Sequence, residues 1–242
     1  MTAFRPRRLL ARLAAACLAT ASFMAHAMSF TPIEMDFSPS GRGATQVFRL
    51  ENTTAEPTAV EITLKSRQMK ADGEDVLADA DDQFNVFPAQ VVLQPGQAQT
   101  VRVQYVGPAA LQAERAFRLI AEQLPIDVGQ APTNGGRMRL LVKYVASVYV
   151  VPANVRAVLK TGEAKVVTAG NARWLEVPVT NEGGTRRILK NAQLEVAGRT
   201  LGAEQLKGLE GENVLAGTTR VFRVPAPADL PATPGAVRLI VQ

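Results

Sequence analysis

Apolar residues recur at every second position along much of this chain, the spacing of strands with one buried face. Thr58–Lys65 alternates most clearly, with Val60, Ile62 and Leu64 on one side and Glu61, Thr63 and Lys65 on the other. Phe30–Phe37 sets Ile33, Met35 and Phe37 on one face, and Gln46–Asn52 does so with Phe48 and Leu50. Phe84–Phe87 and Gln90–Leu93 are short apolar runs around Pro88, and Ala116–Leu124 stops before Pro125. Thr100–Tyr105 alternates Val101, Val103 and Tyr105 against Arg102 and Gln104. A polar loop rich in Asp and Gly is expected after Lys65, and Gln94-Pro95-Gly96-Gln97 predicts a tight turn with positive φ at Gly96.

The longest run is Arg137–Pro152, read as one strand about twice the roughly five or six residues usual in sheets. Met138, Leu140, Val142 and Tyr144 fall on one face, with Arg137, Arg139 and Lys143 between them. Half of such a strand completes a sandwich. The other half would offer large apolar side chains along an open edge, which is a site for strand addition by another chain.

After Pro152 the alternation restarts, predicting strands over 153–159, 164–167, 174–180, 188–196, 219–224 and 236–241. Val179-Thr180-Asn181-Glu182 echoes Leu50-Glu51-Asn52-Thr53, as expected of two related sandwiches. Trp174, the only tryptophan, is expected in the second core. With no sustained helical period and turn signals at frequent intervals, the fold class is all-β, in two immunoglobulin-like sandwiches.

The N-terminus adds a compartment. Arg5, Arg7 and Arg8, an apolar run from Leu13 to Met24, and Ala25-His26-Ala27 read as a secretory signal over residues 1–27. Acylation at Cys17 is disfavoured, because Ala14 stands where a leucine is preferred. The expected organisation is therefore a signal peptide (1–27), a first domain (28–152) and a second domain (153–242). No later segment is apolar enough for stable membrane insertion.

Cleavage after Ala27 changes the available chemistry. The only cysteine, Cys17, and the only histidine, His26, leave with the signal, which excludes thiol nucleophiles, Ser-His-Asp triads and His or Cys zinc sites. The net charge of +5 falls to +1, since four arginines and no acidic residue lie in 1–27. That leaves no concentrated basic field for a nucleic acid. Asp79, Asp81 and Asp82 lack the spacing of a calcium loop, and Arg186-Arg187 reads as a solvated pair. No catalytic residue, cofactor or metal site is expected. Arg118 stands apart as a cation in mid-strand beside the long strand.

Several pieces in order resemble the PapD-like periplasmic pilus chaperones of the chaperone–usher pathway. They are Asn52, the run Leu93–Val103, the segment Glu114–Pro125, the long strand ending at Pro152, and more loosely Thr180–Gly183 and Val214–Phe222. The resemblance implies two immunoglobulin-like domains in a boomerang, located in the periplasm. It implies a chaperone that lends its last first-domain strand to pilus subunits and delivers them to an outer-membrane usher. The donor residues it assigns, counted back from the proline, are Met138, Leu140 and Val142, with Tyr144 next on the same face. The family also binds the subunit's terminal carboxylate with an arginine on the first strand and a lysine five residues before the proline. Here those places hold Glu34, Asp36 and Ser147, so Arg118 or Lys143 is the candidate anchor. The open edge in the free protein could also be capped by a second copy.

Two other classes compete. A structural pilus or adhesin subunit would carry an alternating extension ahead of its first sandwich, and Met28-Ser29 leaves no room for one if cleavage follows Ala27. A carbohydrate-binding sandwich would want exposed aromatics, and Trp174 with three tyrosines is thin material.

Overall fold

The computed structural model describes residues 28–125 and 140–241. The run expected as one strand from Phe30 to Phe37 is two. β1 (Met28–Thr31) pairs with β3 (Thr45–Asn52), while β2 (Glu34–Phe37) runs parallel to β10 (Lys143–Val150) in the facing sheet. Pro32 breaks the ladder because it has no N–H to donate. The apolar parity slips at this crossing. Met28 and Phe30 point into the core before it and Phe37 after it, while Ile33 at the crossing is 67% exposed.

The remaining strands of this half are β4 (Thr58–Met69), β5 (Asp75–Asp79), β6 (Phe84–Phe87), β7 (Gln90–Leu93), β8 (Ala98–Tyr105) and β9 (Arg115–Gln123). One sheet has the order β1-β3-β8-β6, and the other β2-β10-β9-β4-β5, with β7 also on β4. Phe48, Leu50, Val101 and Val103 from the first sheet meet Ile62, Leu64, Phe117, Leu119 and Val148 from the second. Phe84 packs edge-on against Phe37, Tyr105 and Phe117, with ring centroids 5.8, 5.2 and 4.9 Å away.

Two expectations are corrected here. The polar stretch after Lys65 is not a loop throughout: β4 continues to Met69 and a hairpin returns as β5. β5 is an edge strand with little buried on either face, so its sequence carries no period. The long strand is also shorter than expected, since its ladder to β9 begins at Lys143 opposite Glu122. Residues 126–139, and with them Arg137, Met138 and Arg139, lie outside the described residues, as do residues 1–27, where a signal peptide is expected.

The second half contains β11 (Leu159–Thr161), β12 (Lys165–Ala169), β13 (Ala172–Asn181), β14 (Arg187–Ile188), β15 (Gln193–Val196), β16 (Arg199–Leu201), β17 (Asn213–Val214), β18 (Thr219–Pro225) and β19 (Val237–Ile240). β13 is central, flanked by β11 and β12 on one side and β18 on the other, and β16-β15-β19 forms a separate sheet. Leu175, Val177 and Val179 of β13 face a core shared with Leu189, Leu194, Val214 and Phe222. Trp174 therefore points the other way and is only half-buried, contrary to expectation. The run 188–196 divides into two strands around Asn191, whose φ is +48°, and 153–158 forms no strand.

The echoed asparagines do the same work in both halves. Asn52 and Asn181 are fully buried. The Asn52 amide donates to the carbonyls of Glu56 (2.8 Å) and Leu93 (3.0 Å), while its Oδ1 accepts from the Thr54 N–H. The Asn181 amide donates to Thr185 (2.8 Å) and Val214 (3.1 Å), and its Oδ1 accepts from the N–H groups of Val158 and Gly183. Each asparagine's backbone carbonyl accepts from a glycine in a turn, Gly96 at φ +73° or Gly217 at φ +68°. The predicted turn at Gly96 is thus one half of a repeated device.

Candidate functional site

Along β10 and the three residues before it, the row of alternate side chains changes character from end to end. Val150, Val148 and Ala146 are fully buried in the first core. Tyr144 and Val142 are half-buried against it, and Leu140 is 84% exposed. The apolar row thus runs off the end of its own sandwich. Tyr144 belongs mainly to that sandwich, since its hydroxyl donates to the Met28 carbonyl. Val142 is held at the margin, where its carbonyl accepts the Gln123 N–H (3.0 Å). Of the residues expected to form the donor row, Leu140 is the freely exposed one among those described.

The opposite face of β10 carries Ser147 and Tyr149, and Tyr149 reaches the seam between the two halves. Ser147 pairs directly with Arg118 of β9, which in turn pairs with Lys65 of β4. A small residue at 147 leaves room for a long side chain from the neighbouring strand. Arg118 takes it, donating from Nη1 to the Ser147 hydroxyl. Its Nε and Nη2 donate to Asp75 Oδ2 at 2.8 and 2.6 Å, and Asp75 Oδ1 accepts from Arg67 Nε at 2.6 Å. Burial pushes the Asp75 carboxyl up, and the bonds from Arg67 and Arg118 outweigh it, holding the group below its ordinary range.

Tyr149, 1% exposed, receives hydrogen bonds on its hydroxyl from Arg67 Nη1 and Asn213 Nδ2, both at 3.1 Å. The Arg186 guanidinium lies 3.6 Å above its ring. Arg186 donates to Glu34, Asp36 and the buried Glu114, at 3.1, 2.9 and 2.9 Å. Burial works to lower its pKa, but Glu114 and Asp36 raise it on balance. The reading of Arg186 as a solvated residue is therefore corrected. Glu34 and Asp36, which leave the first strand without a cation, receive one from the second half.

A further contact crosses the seam. At the tip of the β4–β5 hairpin, the Ala71 carbonyl accepts the Val221 N–H of β18 at 2.7 Å. Gly73, at φ +90°, lies against the Arg220 guanidinium where a Cβ would overlap it. Arg220 is itself held by Glu212 (2.5 Å) and the Asn213 carbonyl (2.8 Å). Lys143, by contrast, is half-exposed and paired with Glu122 at 2.9 Å, away from Ser147. Asp79 is paired with Lys65, and Asp81 accepts the Leu64 N–H.

Structure thus brings Arg118 and Ser147 together and leaves Lys143 apart. Asp75, Arg67, Glu114 and Tyr149 complete the site without having been singled out in the sequence, and Arg186 joins them in place of the solvated position read for it. The Arg67–Asp75 pairing is readable only once β4 and β5 are known to form a hairpin.

Comparison with known proteins adds the following. Residues 38–156 match the family model for the pili and flagellar-assembly chaperone, PapD N-terminal domain. No curated protein sequence is similar enough to count as a relative. Among solved structures, the class 5 fimbriae chaperone CfaA superposes with a TM-score of 0.57 at 16% identity, covering 89% of this chain and 100% of its own. A chain of the CsuC–CsuE chaperone–tip adhesion subunit pre-assembly complex of Acinetobacter baumannii gives 0.58 at 14% identity, covering 84% and 89%. The E. coli chaperone DraB gives 0.53 at 16% identity, covering 90% and 98%. At these identities the likeness speaks for the shared two-domain β-sandwich fold.

Proposed function

Since the chain belongs to the PapD-like family of pilus-assembly chaperones, we propose that it acts in the periplasm by lending the apolar face of β10 to a pilus subunit lacking its last strand. In this reading it acts by binding, without catalysis or a cofactor, and hands the subunit to an outer-membrane usher. The observation that carries the reading is the burial gradient along β10 and the residues just before it, from fully buried Val150 to 84% exposed Leu140. A subunit missing a strand has an unpaired edge and an open groove. A lent strand pairs its backbone groups and fills the groove. Burying side chains the size of Met138, Leu140 and Val142 gives on the order of 5–9 kcal/mol before ordering costs. Val142 contributes less than its full share, since it is half-buried already.

Arg118 is the anchor this reading assigns to the subunit's terminal carboxylate. It lies directly opposite Ser147, the position of the family's lysine, whereas Lys143 is committed to Glu122. The test is Leu140→Asp. The free chaperone should keep its melting temperature, because Leu140 contributes little to its own core, while soluble subunit recovered on co-expression should fall to background. Undiminished recovery would exclude strand donation at this position.

A further inference from the structure

The anchor assigned above is already in contact with a carboxylate. Arg118 spends the Nε–Nη2 edge of its guanidinium on Asp75 Oδ2, and Arg67 holds Oδ1. That edge is the one suited to paired hydrogen bonds with an incoming carboxylate. The remaining terminal nitrogen, Nη1, is turned to Ser147. The Arg118 and Asp75 side chains are 17% and 22% exposed, so the pair lies at the margin of the seam and not sealed within it.

We propose that Asp75 is a resident carboxylate that occupies the anchor in the free protein and gives way to the terminal carboxylate of the client. The proposal rests on the reading of Arg118 as anchor and extends it to how that anchor is kept between clients. Chemically the exchange is like for like. One carboxylate leaves the two guanidinium groups and another takes its place, so neither cation is left bare in the seam at either stage. An arginine with no counter-ion would suffer a desolvation penalty in this partly buried position.

The placement of Asp75 suits such an exchange. It opens β5, which lies at the edge of its sheet and is largely exposed along its length. A small displacement of β5 therefore disturbs little core packing. With Asp75 in place, the cluster of Arg67, Arg118 and Asp75 carries a single net positive charge. With Asp75 withdrawn it presents two cations, the number the resemblance leads one to expect.

The exchange makes a prediction opposite in sign to that of a purely supporting role. If Asp75 only held Arg118 in place, neutralising it would weaken client capture. If it competes, neutralising it strengthens capture. The experiment uses an incomplete pilus subunit in two forms, one with its free C-terminal carboxylate and one amidated there by semisynthesis. Affinity of the full-length mature chaperone for each is measured for wild type, Asp75→Asn, Arg118→Ala and the double variant. Asp75→Asn should tighten binding of the acid form about tenfold and leave the amide form unchanged, and Arg118→Ala should abolish the gain. Weaker or unchanged acid binding by Asp75→Asn, with wild type still preferring acid over amide, overturns the exchange while leaving the anchor standing. Wild type that treats acid and amide alike, and is indifferent to Arg118→Ala, overturns the anchor and the exchange with it. A second measurement needs no substitution. The Asp75 carboxyl carbon resonance should move when the acid form is added and stay fixed with the amide, and a resonance unmoved by the acid overturns the exchange.

Discussion

At position 147 a hydroxymethyl group leaves space that a neighbouring arginine enters, and the charge in the seam follows from that substitution. Arg118 reaches Ser147 only because the two are directly opposed across β9 and β10. It then needs a counter-ion, which Asp75 supplies. The pH consequence has a definite sign. The Asp75 carboxyl sits below its ordinary value of 3.8, because the two arginines outweigh its burial. A carboxyl lowered on folding stabilises the native state above its unfolded pKa, and the contribution is lost as pH falls through the folded one. Wild type should therefore exceed Asp75→Asn in stability at neutral pH. The gap should begin to narrow as pH falls below about 3.8 and close only below the lower folded value, read as urea midpoints at a series of pH values. A gap that does not narrow at all on acidification from neutral pH would mean that packing, and not charge, sets the difference.

At the scale of elements, the duplicated asparagine ties a strand end to both a following loop and a facing strand. Replacing either residue with alanine strands buried carbonyls, Leu93 in one half and Val214 in the other. The expected loss is roughly 2–3 kcal/mol of unfolding free energy for each, measured by chemical denaturation. Matching losses would identify the two halves as mechanically equivalent at this point. The echo of Leu50–Thr53 in Val179–Glu182 is legible in the sequence alone, because alternation and a terminal asparagine are local signals. So are β4, β8, β9 and β13, whose core-facing residues recur at every second position. The break at Pro32 was marked by its proline, yet the resumed apolar spacing at Met35 and Phe37 reads as one continuous strand. β5 was illegible because an edge strand with little to bury has no reason to alternate. That one omission hid Asp75 and Arg67, and with them the surroundings of Arg118. Arg186 was hidden for another reason: its carboxylate partners lie more than seventy residues away or further in sequence.

For the whole molecule, the two cores are joined by contacts of different kinds. Arg186 draws carboxylates of the first half onto the second, Tyr149 is bonded from both halves, and the hairpin tip reaches Val221. The last of these has a bearing on solubility. β18 is hydrogen-bonded along one side to β13, and on its other side the Val221 N–H meets the Ala71 carbonyl of the first half. Detached from that carbonyl, the strand would leave the Val221 N–H unpaired on its outer edge, and uncovered edges recruit other copies. Residues 153–242 produced alone should accordingly self-associate, seen as concentration-dependent growth in light scattering, whereas residues 28–242 at the same concentration should show no such growth through β18. A fragment that stays monomeric at high concentration would mean that β18 needs no cover. If it clumps, the hairpin serves its own protein as it would a stranger: one half of the chain keeps the other from aggregating.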